Sequence, residues 1–346
     1  MQIAFRAIAE DFPSDKWRSA FDRHWHAYSR WFLRDGDRAR PTYLASLRAL
    51  KAHMPELVPV YERLVEVAGG GDIEARFLSM WCPPTYVGGC SQAIVLGDEP
   101  WLVRNYDYSP HLLEGTWLAT RLLNQRVVAM IDCLWGVLDG VNESGLAASL
   151  AFGGRVVTGR GFGIPLVLRY VLETATSVRE AVAVLQRLPV HMAYTVALVD
   201  RNGRHATVFV APDRGAEVVR HLVSTNHQRR VEWPRHARAT LSVERAAALE
   251  AAMRARSSPD EIVRIFLRPP VLQTAYERGY GTLYTAIYRP SLAGVELAWP
   301  RERWAQACGA FAEGTRMIAF DVAPPTNGTG DIFTSLMPSV AKAHGE

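Results

Sequence analysis

One cysteine stands in a setting that suits nucleophilic chemistry. Cys90 lies in Val87-Gly88-Gly89-Cys90-Ser91-Gln92, after a proline-rich turn and at the mouth of a strand-like segment. Two preceding glycines leave the backbone unusually free. A thiol needs that freedom to attack the carbonyl of the residue just before it. Fourteen residues on comes Arg104-Asn105-Tyr106-Asp107. Side chains alternate along a strand, so Arg104 and Asp107 fall on opposite faces. A bend is expected there if both serve one site. Taken alone, Gly-Cys-Ser is a weak signal.

Cys82, Cys133 and Cys308 lack this context. No two of the four cysteines form a C-x-x-C pair, and no histidine stands at zinc-finger spacing. His24 and His26 lie two apart in a helical stretch and face different directions. No metal site and no cofactor are expected. The stretch GGRVVTGRGFG (153–163) precedes a helix, but Ile164 and Pro165 stand where a dinucleotide fingerprint needs its spaced glycine. It has no Walker lysine-serine pair either, and reads as a flexible loop entering a helix.

The elements that must position Cys90 change character along the chain. Residues 12–68 read as helices: Trp17, Phe21, Trp25, Tyr28 and Phe32 recur at spacings of three and four. That aromatic stripe reads as core rather than as a ligand platform. Leu44, Leu47, Leu50 and Met54 mark a second helical face, and Gly69-Gly70-Gly71 ends the run. A short helix around 73–80 precedes Pro83-Pro84. Then come short apolar strands at 92–96, 101–105, 127–131, 145–151, 195–200 and 207–211, separated by turns such as GDEP, DGVNESG and DRNG. Helices at 164–175 and 177–187 interrupt them, the second with the capping-box pair Ser177 and Glu180. Helices near 242–256 and 260–267 and a hairpin at 284–288 and 295–298 follow. Residues 324–331 read as a Pro/Gly/Asn turn before a polar tail. Helices, strands, helices, strands is not the alternation of a parallel doubly wound sheet. The order fits an α+β fold with antiparallel sheets covered by helices.

Composition narrows the class. The 346 residues are 49% hydrophobic and 21% charged, too apolar for a disordered chain. Four cysteines are too few for a disulfide scaffold. The 39 basic and 35 acidic residues are scattered, whereas a nucleic-acid binder would cluster them with aromatics. No uncharged apolar run approaches the roughly 18 residues of a membrane span. Arg6, Glu10 and Asp11 break up the N-terminal stretch where a secretory signal would be apolar. A cytoplasmic protein with reduced thiols is expected.

Taken together, four motifs resemble a known group. Gly89-Cys90, Arg104-Asn105-x-Asp107, Gly140-Val141-Asn142-Glu143-x-Gly145-Leu146 and Ser224-Thr225-Asn226-His227 occur in the order seen in N-terminal nucleophile (Ntn) hydrolases. The chain most resembles the acyl-coenzyme A:6-aminopenicillanic-acid acyltransferase-like family, peptidase family C45. Bile-salt and penicillin V hydrolases are more distant relatives. The likeness covers roughly residues 80–300, and the helical N-terminus resembles the pro-segment of bacterial members.

The resemblance implies an αββα sandwich of two antiparallel sheets between helical layers. It implies a precursor that cuts itself between Gly89 and Cys90, leaving residues 1–89 as a helical α chain and 90–346 as the catalytic β chain of one domain. It implies Cys90 as nucleophile, with its freed α-amino group as base. Arg104 matches the arginine beside the thiol, and Asp107 the aspartate that orients the amine. Asn142 and Asn226 match the asparagines that stabilise the oxyanion. Each of these four also has a structural reading: Arg104 with Asp107 as an ion pair, Asn142 as a turn residue, Asn226 as a cap.

Tyr106, Thr195, His227 and Arg245 are possible pocket residues. Thr195 stands where many members carry an asparagine, and a surface position suits Arg245 nearly as well. Trp81, Tyr86, Tyr106, Trp117 and Trp135 suggest an apolar pocket or core. The expected activity is an amidohydrolase acting on linear amides of a small acylated substrate. The alternatives are an acyltransferase with a thioester or amide donor, and a non-catalytic binding protein. Substrate and oligomeric state are not legible.

Overall fold

A computed structural model describes residues 1–321, so the stretch at 324–331 lies outside it. The chain opens with a strand, β1 (Gln2–Ala9), followed by four helices: α1 (Asp15–Phe32), α2 (Tyr43–His53), α3 (Val58–Ala68) and α4 (Asp72–Leu78). Thr42 caps α2 by accepting from Ala45 N–H, and Gly69 closes α3 at φ +106°, a left-handed C-cap. Six strands follow: β2 (Gly89–Val95), β3 (Trp101–Tyr108), β4 (Thr116–Thr120), β5 (Val127–Asp132), β6 (Gly136–Asn142) and β7 (Leu146–Phe152). Helices α5 (Ile164–Thr174) and α6 (Val178–Arg187) lead to β8 (Tyr194–Asp200), β9 (His205–Ala211), β10 (Arg214–Val219) and β11 (Val223–Ser224). Helices α7 (Pro234–Ala239), α8 (Ser242–Arg254) and α9 (Pro259–Phe266) precede β12 (Gly281–Arg289), β13 (Gly294–Ala298), β14 (Arg303–Ala307) and β15 (Gly314–Ala319).

Among the described residues these strands form two sheets. One runs β10-β9-β8-β7-β6-β5-β4-β1-β15 and the other β11-β2-β3-β12-β13-β14. All neighbours are antiparallel except β1 and β4, which run parallel. The sheets face each other across a core that includes Phe5, Cys90, Leu102, Trp117, Val141 and Leu283. α5 packs on the outer face of the larger sheet, and α8 and α9 on that of the smaller. This is the expected αββα sandwich.

Strand alternation sorts the chemistry. On β7, Leu146, Ala148, Leu150 and Phe152 join the helix-side core, while Ala147 and Ala151 face the other sheet. On β6, Leu138 and Val141 face the other sheet. The adjoining Asn142 and Gly140 face α5.

Several expectations need correction. The N-terminal segment is not wholly helical: β1 is an inner strand of the larger sheet, held by β15 and β4. Its Phe5 is fully buried against Tyr284 and Trp299. Residues 139–142 are strand, so the DGVNESG turn shrinks to its last three residues. Trp117 and Trp135 are core, against Trp304 and against the Leu78 carbonyl respectively. Trp81 packs on Phe162.

Candidate active site

Cys90 is the second residue of β2, and its side chain points between the sheets. β2 and β3 pair without interruption from Gly89↔Asp107 to Val95↔Trp101. The bend expected at Arg104–Asp107 is therefore absent. The two residues stand on opposite faces, and the site uses both faces at once, because Cys90 sits at the strand's entry.

On the inter-sheet face, Arg104 Nη2 lies 3.3 Å from Cys90 Sγ. Arg104 also donates to the Leu150 carbonyl at 3.0 Å, to the Tyr284 hydroxyl at 3.0 Å and to Asp139. Tyr284 and Tyr288 both donate to Asp139, the former at 2.7 Å. Tyr106 lies over the Arg104 guanidinium at 4.9 Å. Burial works against the Arg104 charge, but Cys90, Asp139 and the tyrosines outweigh it and hold the guanidinium above its ordinary value. Burial pushes the Cys90 thiol up, and Arg104 pulls against that rise.

On the helix face the centre is Arg245 of α8. It is fully buried and donates to the Cys90 carbonyl (2.7 Å), Ser91 Oγ (2.8 Å) and Asp107 Oδ2 (2.9 Å) through one nitrogen, and to Asn226 Oδ1 (2.6 Å) through another. Asp107 also accepts from Thr282 at 2.7 Å. Burial raises the Asp107 carboxyl, and Arg245 and Thr282 draw it back. The surface position considered for Arg245 is overturned: its fork is spent on the backbone and partners of Cys90.

Asn226 follows β11, which pairs with β2. Its Oδ1 accepts the Cys90 backbone N–H at 3.0 Å, and its amide donates to the Phe152 carbonyl at 3.1 Å. Arg245 can only donate, which fixes the amide orientation. Gly154 makes this approach possible. It sits at φ +68°, and a Cβ there would lie 2.1 Å from the Asn226 carbonyl oxygen. The glycine-rich stretch thus begins as a close packing contact rather than a flexible loop. Gly89 is equally constrained: a Cβ there would meet the Tyr280 hydroxyl at 2.0 Å.

Asn142 is not brought to Cys90. Its amide donates to the Leu172 and Ala175 carbonyls at 2.9 and 2.7 Å, and its oxygen accepts from Leu146 N–H at 3.0 Å. It ties the end of α5 to β6, on the far face of the larger sheet. That placement contradicts the oxyanion role. His227 is half-buried, with its Nδ1 2.9 Å from Ser242 Oγ and 3.3 Å from Thr225 Oγ1. Thr195 of β8 pairs with Ala151 of β7, and its buried hydroxyl has no partner among the described residues. Two bridges lay β2 across β7: Gln92 to Ser149 at 2.7 Å, and Cys90 through Asn226 to Phe152. Thr195 lies beside this crossing.

Sequence reasoning missed Asp139, Tyr284, Tyr288, Ser242 and His236. Ser242 accepts the Asn226 N–H at 2.9 Å, and His236 Nε2 donates to the Gly88 carbonyl at 3.2 Å. Asp139 was legible in principle: with residues 136–142 read as a strand, it falls on the same face as Val141. The tyrosines carried no local signal. Among the described residues no helix is long and apolar enough to cross a membrane, and no three His, Cys, Asp or Glu side chains group as metal ligands.

Residues 95–304 match the model of the acyl-coenzyme A:6-aminopenicillanic acid acyl-transferase family. The match begins five residues after Cys90. No curated protein matches the chain. Solved structures similar to it include a mutant conjugated bile acid hydrolase from Clostridium perfringens, at 12% identity and TM-score 0.47, over 69% of this chain and 100% of that one. Penicillin V acylase from Agrobacterium tumefaciens is similar at 16% identity and TM-score 0.43, over 63% and 84%. The Caenorhabditis elegans N-acylethanolamine-hydrolyzing acid amidase ortholog is similar at 16% identity and TM-score 0.45, over 67% and 100%.

Proposed function

The chain belongs to the acyl-coenzyme A:6-aminopenicillanic acid acyl-transferase family, and from that premise we propose that it is a self-cutting amidohydrolase whose nucleophile is Cys90. One observation carries this reading. The thiol and the backbone nitrogen of Cys90 are addressed by different polar groups, Arg104 on Sγ and Asn226 on N.

In the cut, Cys90 Sγ attacks the Gly89 carbonyl carbon. The Gly89–Cys90 C–N bond breaks, the thiol proton passes to the departing nitrogen, and a thioester links Gly89 to Sγ. Water then attacks the thioester, releasing the Gly89 carboxylate and restoring the thiol. The two segments remain one folded unit over the described residues, because β1 and α1 are built into its core.

The freed α-amine then stands where the Cys90 N–H stands now, against Asn226 Oδ1, with Asp107 and Arg245 close behind. An unperturbed α-amino group titrates near 7.7–8.0, close to the pH range where a general base works best. It takes the thiol proton as Sγ attacks a small acyl amide, and gives it to the leaving amine. Arg104 steadies the developing thiolate. The second hydrogen of the Asn226 amide and the Thr195 hydroxyl are the donors available to the oxyanion. Water completes hydrolysis. An amine in its place completes acyl transfer, the reaction for which the family is named.

The test is the intact mass of the purified protein. Two fragments that end at Gly89 and begin at Cys90, absent in Cys90→Ala, are expected, together with turnover of N-acyl amides by wild type alone. A single uncut chain that still hydrolyses amides would rule out the amine as base while leaving the thiol in place.

A further inference from the structure

A cavity of ≈ 120 Å³ opens between α1 and the ends of β3 and β5. Its walls include the rings of Tyr28, Trp31, Tyr86 and Tyr108, and two carboxyls, Glu114 and Asp132, also line it. A series of packed side chains joins its wall to the thiol. Tyr108 stacks on Tyr106 at 5.5 Å, Tyr106 covers Arg104, and Arg104 reaches Cys90 Sγ. Tyr86 stands four residues before Cys90.

The carboxyls hold a shared proton. Tyr28 Oη lies within hydrogen-bonding distance of Glu114 Oε1 and 2.6 Å from Asp132 Oδ1, and it accepts the Cys133 N–H at 2.9 Å. A phenol has one proton and can donate to only one carboxyl. The other carboxyl must supply its own, so the pair carries a single negative charge. The Leu134 and Cys133 N–H groups anchor Glu114 Oε1 and Asp132 Oδ1 from a turn at φ +72° and +54°. Burial, then Asp132, raises the Glu114 carboxyl to about 8.

Among the described residues three buried polar atoms of the lining side chains have no hydrogen-bond partner: Glu114 Oε2, His24 Nε2 and Tyr86 Oη. Glu114 is 3% exposed, and its Oε2 accepts nothing. His24 Nε2 is likewise buried and unpaired. Burial, with Arg23 and Arg6, lowers His24 to about 4, so the ring is neutral and can accept a proton donor. The charged groups that act on the acids are Arg23 from α1 and Arg104 from β3, and neither lines the cavity. His111 is the other titratable ring at its edge.

We propose that this cavity is the substrate pocket of the Cys90 enzyme and selects a substrate bearing a protonated primary amine. The ammonium donates to Glu114 Oε2 and His24 Nε2, and the rings of Trp31 and the tyrosines face its charge, as aromatic cages do for cations. The α and β segments build the pocket together, since Tyr28 and Trp31 precede the cut and Glu114 follows it. As a substrate pocket it rests on Cys90 being the nucleophile; as an amine site it does not.

The experiment is calorimetric binding of 2-phenylethylammonium and of 2-phenylethanol to the full chain. The ammonium is expected to bind at least about tenfold more tightly than the alcohol, and Glu114→Gln to erase the difference. Should that variant fail to fold, the wild type alone decides. Ammonium affinity must rise severalfold from pH 6 to pH 8, as the Glu114 proton leaves while the probe stays charged. Equal binding of the alcohol, or an affinity indifferent to pH, overturns the amine site. Paired N-acyl amides with and without a terminal amine separate the two claims. Ammonium binding with no amide turnover overturns the Cys90 reading alone. Turnover without preference for the amine overturns the pocket alone.

Discussion

Asn142 and Asn226 are both buried and both come from motifs of the same resemblance, yet their surroundings put their amides to different uses. Asn142 stands where α5 ends, and the last carbonyls of a helix have no partners of their own. Its two amide hydrogens go to the Leu172 and Ala175 carbonyls, which leaves nothing to offer a substrate. Asn226 stands where two sheets and a buried arginine converge. Arg245 claims its oxygen, so the amide is held in one orientation against the Cys90 nitrogen. What a motif asparagine binds is thus set by what else in its corner lacks a donor or acceptor.

The contrast can be broken in order of expected effect. Cys90→Ala should abolish both the cut and amide turnover while the fold stands, checked by mass and by circular dichroism. Any residual turnover above background would move the nucleophile elsewhere. Arg245→Ala comes next. It leaves Asp107 buried without its cation, a loss of about 3–5 kcal/mol of stability, read from the urea midpoint. A stability near that of wild type would mean that Asp107 takes up a proton at little cost.

The asparagines themselves follow. Asn226→Ala should lower kcat by about 10²–10³. Asn142→Ala should cost about 1–3 kcal/mol by stranding two carbonyls, with kcat/KM of the folded fraction unchanged. Equal kinetic losses in both variants would erase the distinction drawn between the two corners.

A pH dependence, small within any one pH unit, also belongs to the Asn226 corner. His236 packs on Phe152 at 5.0 Å, and burial, then Arg245, lowers it to about 3. A depressed pKa means that the unfolded chain binds the proton first. His236 therefore contributes its full stability above the ordinary value near 6.5 and loses it as pH falls toward 3. Replacing it with Gln should make stability less steep between pH 6.5 and 4 by about 1.4 kcal/mol per pH unit, read from urea midpoints at several pH values. An unchanged slope would mean that His236 is charged in the fold.

Much of the fold was legible. Apolar runs bounded by turns located β3, β5, β7, β8 and β9, and the capping pair located α6, because those signals are local. β1 and β15 escaped notice because each depends on the other, far along the chain. β1 pairs with residues more than 300 positions away. At the site, Cys90, Arg104, Asp107 and Asn226 were named and lie together. Asn142 received its site role from the resemblance, and reading 139–145 as a turn hid that the strand sends Asp139 and Asn142 to opposite faces.

The sequence by itself determined the small and polar residues around Cys90, the family motifs and the class of fold, since these depend on residue type and short-range spacing. Tertiary structure alone decided that Arg245 binds the Cys90 carbonyl rather than solvent, that Asp139 and Tyr284 hold Arg104, and that Tyr28 meets Glu114 beside an aromatic cavity. Each of these joins residues that chain order separates by 35 to 180 positions. A buried charge must find its partner wherever the packed sheets bring one, and one-dimensional spacing holds no record of which strands will meet.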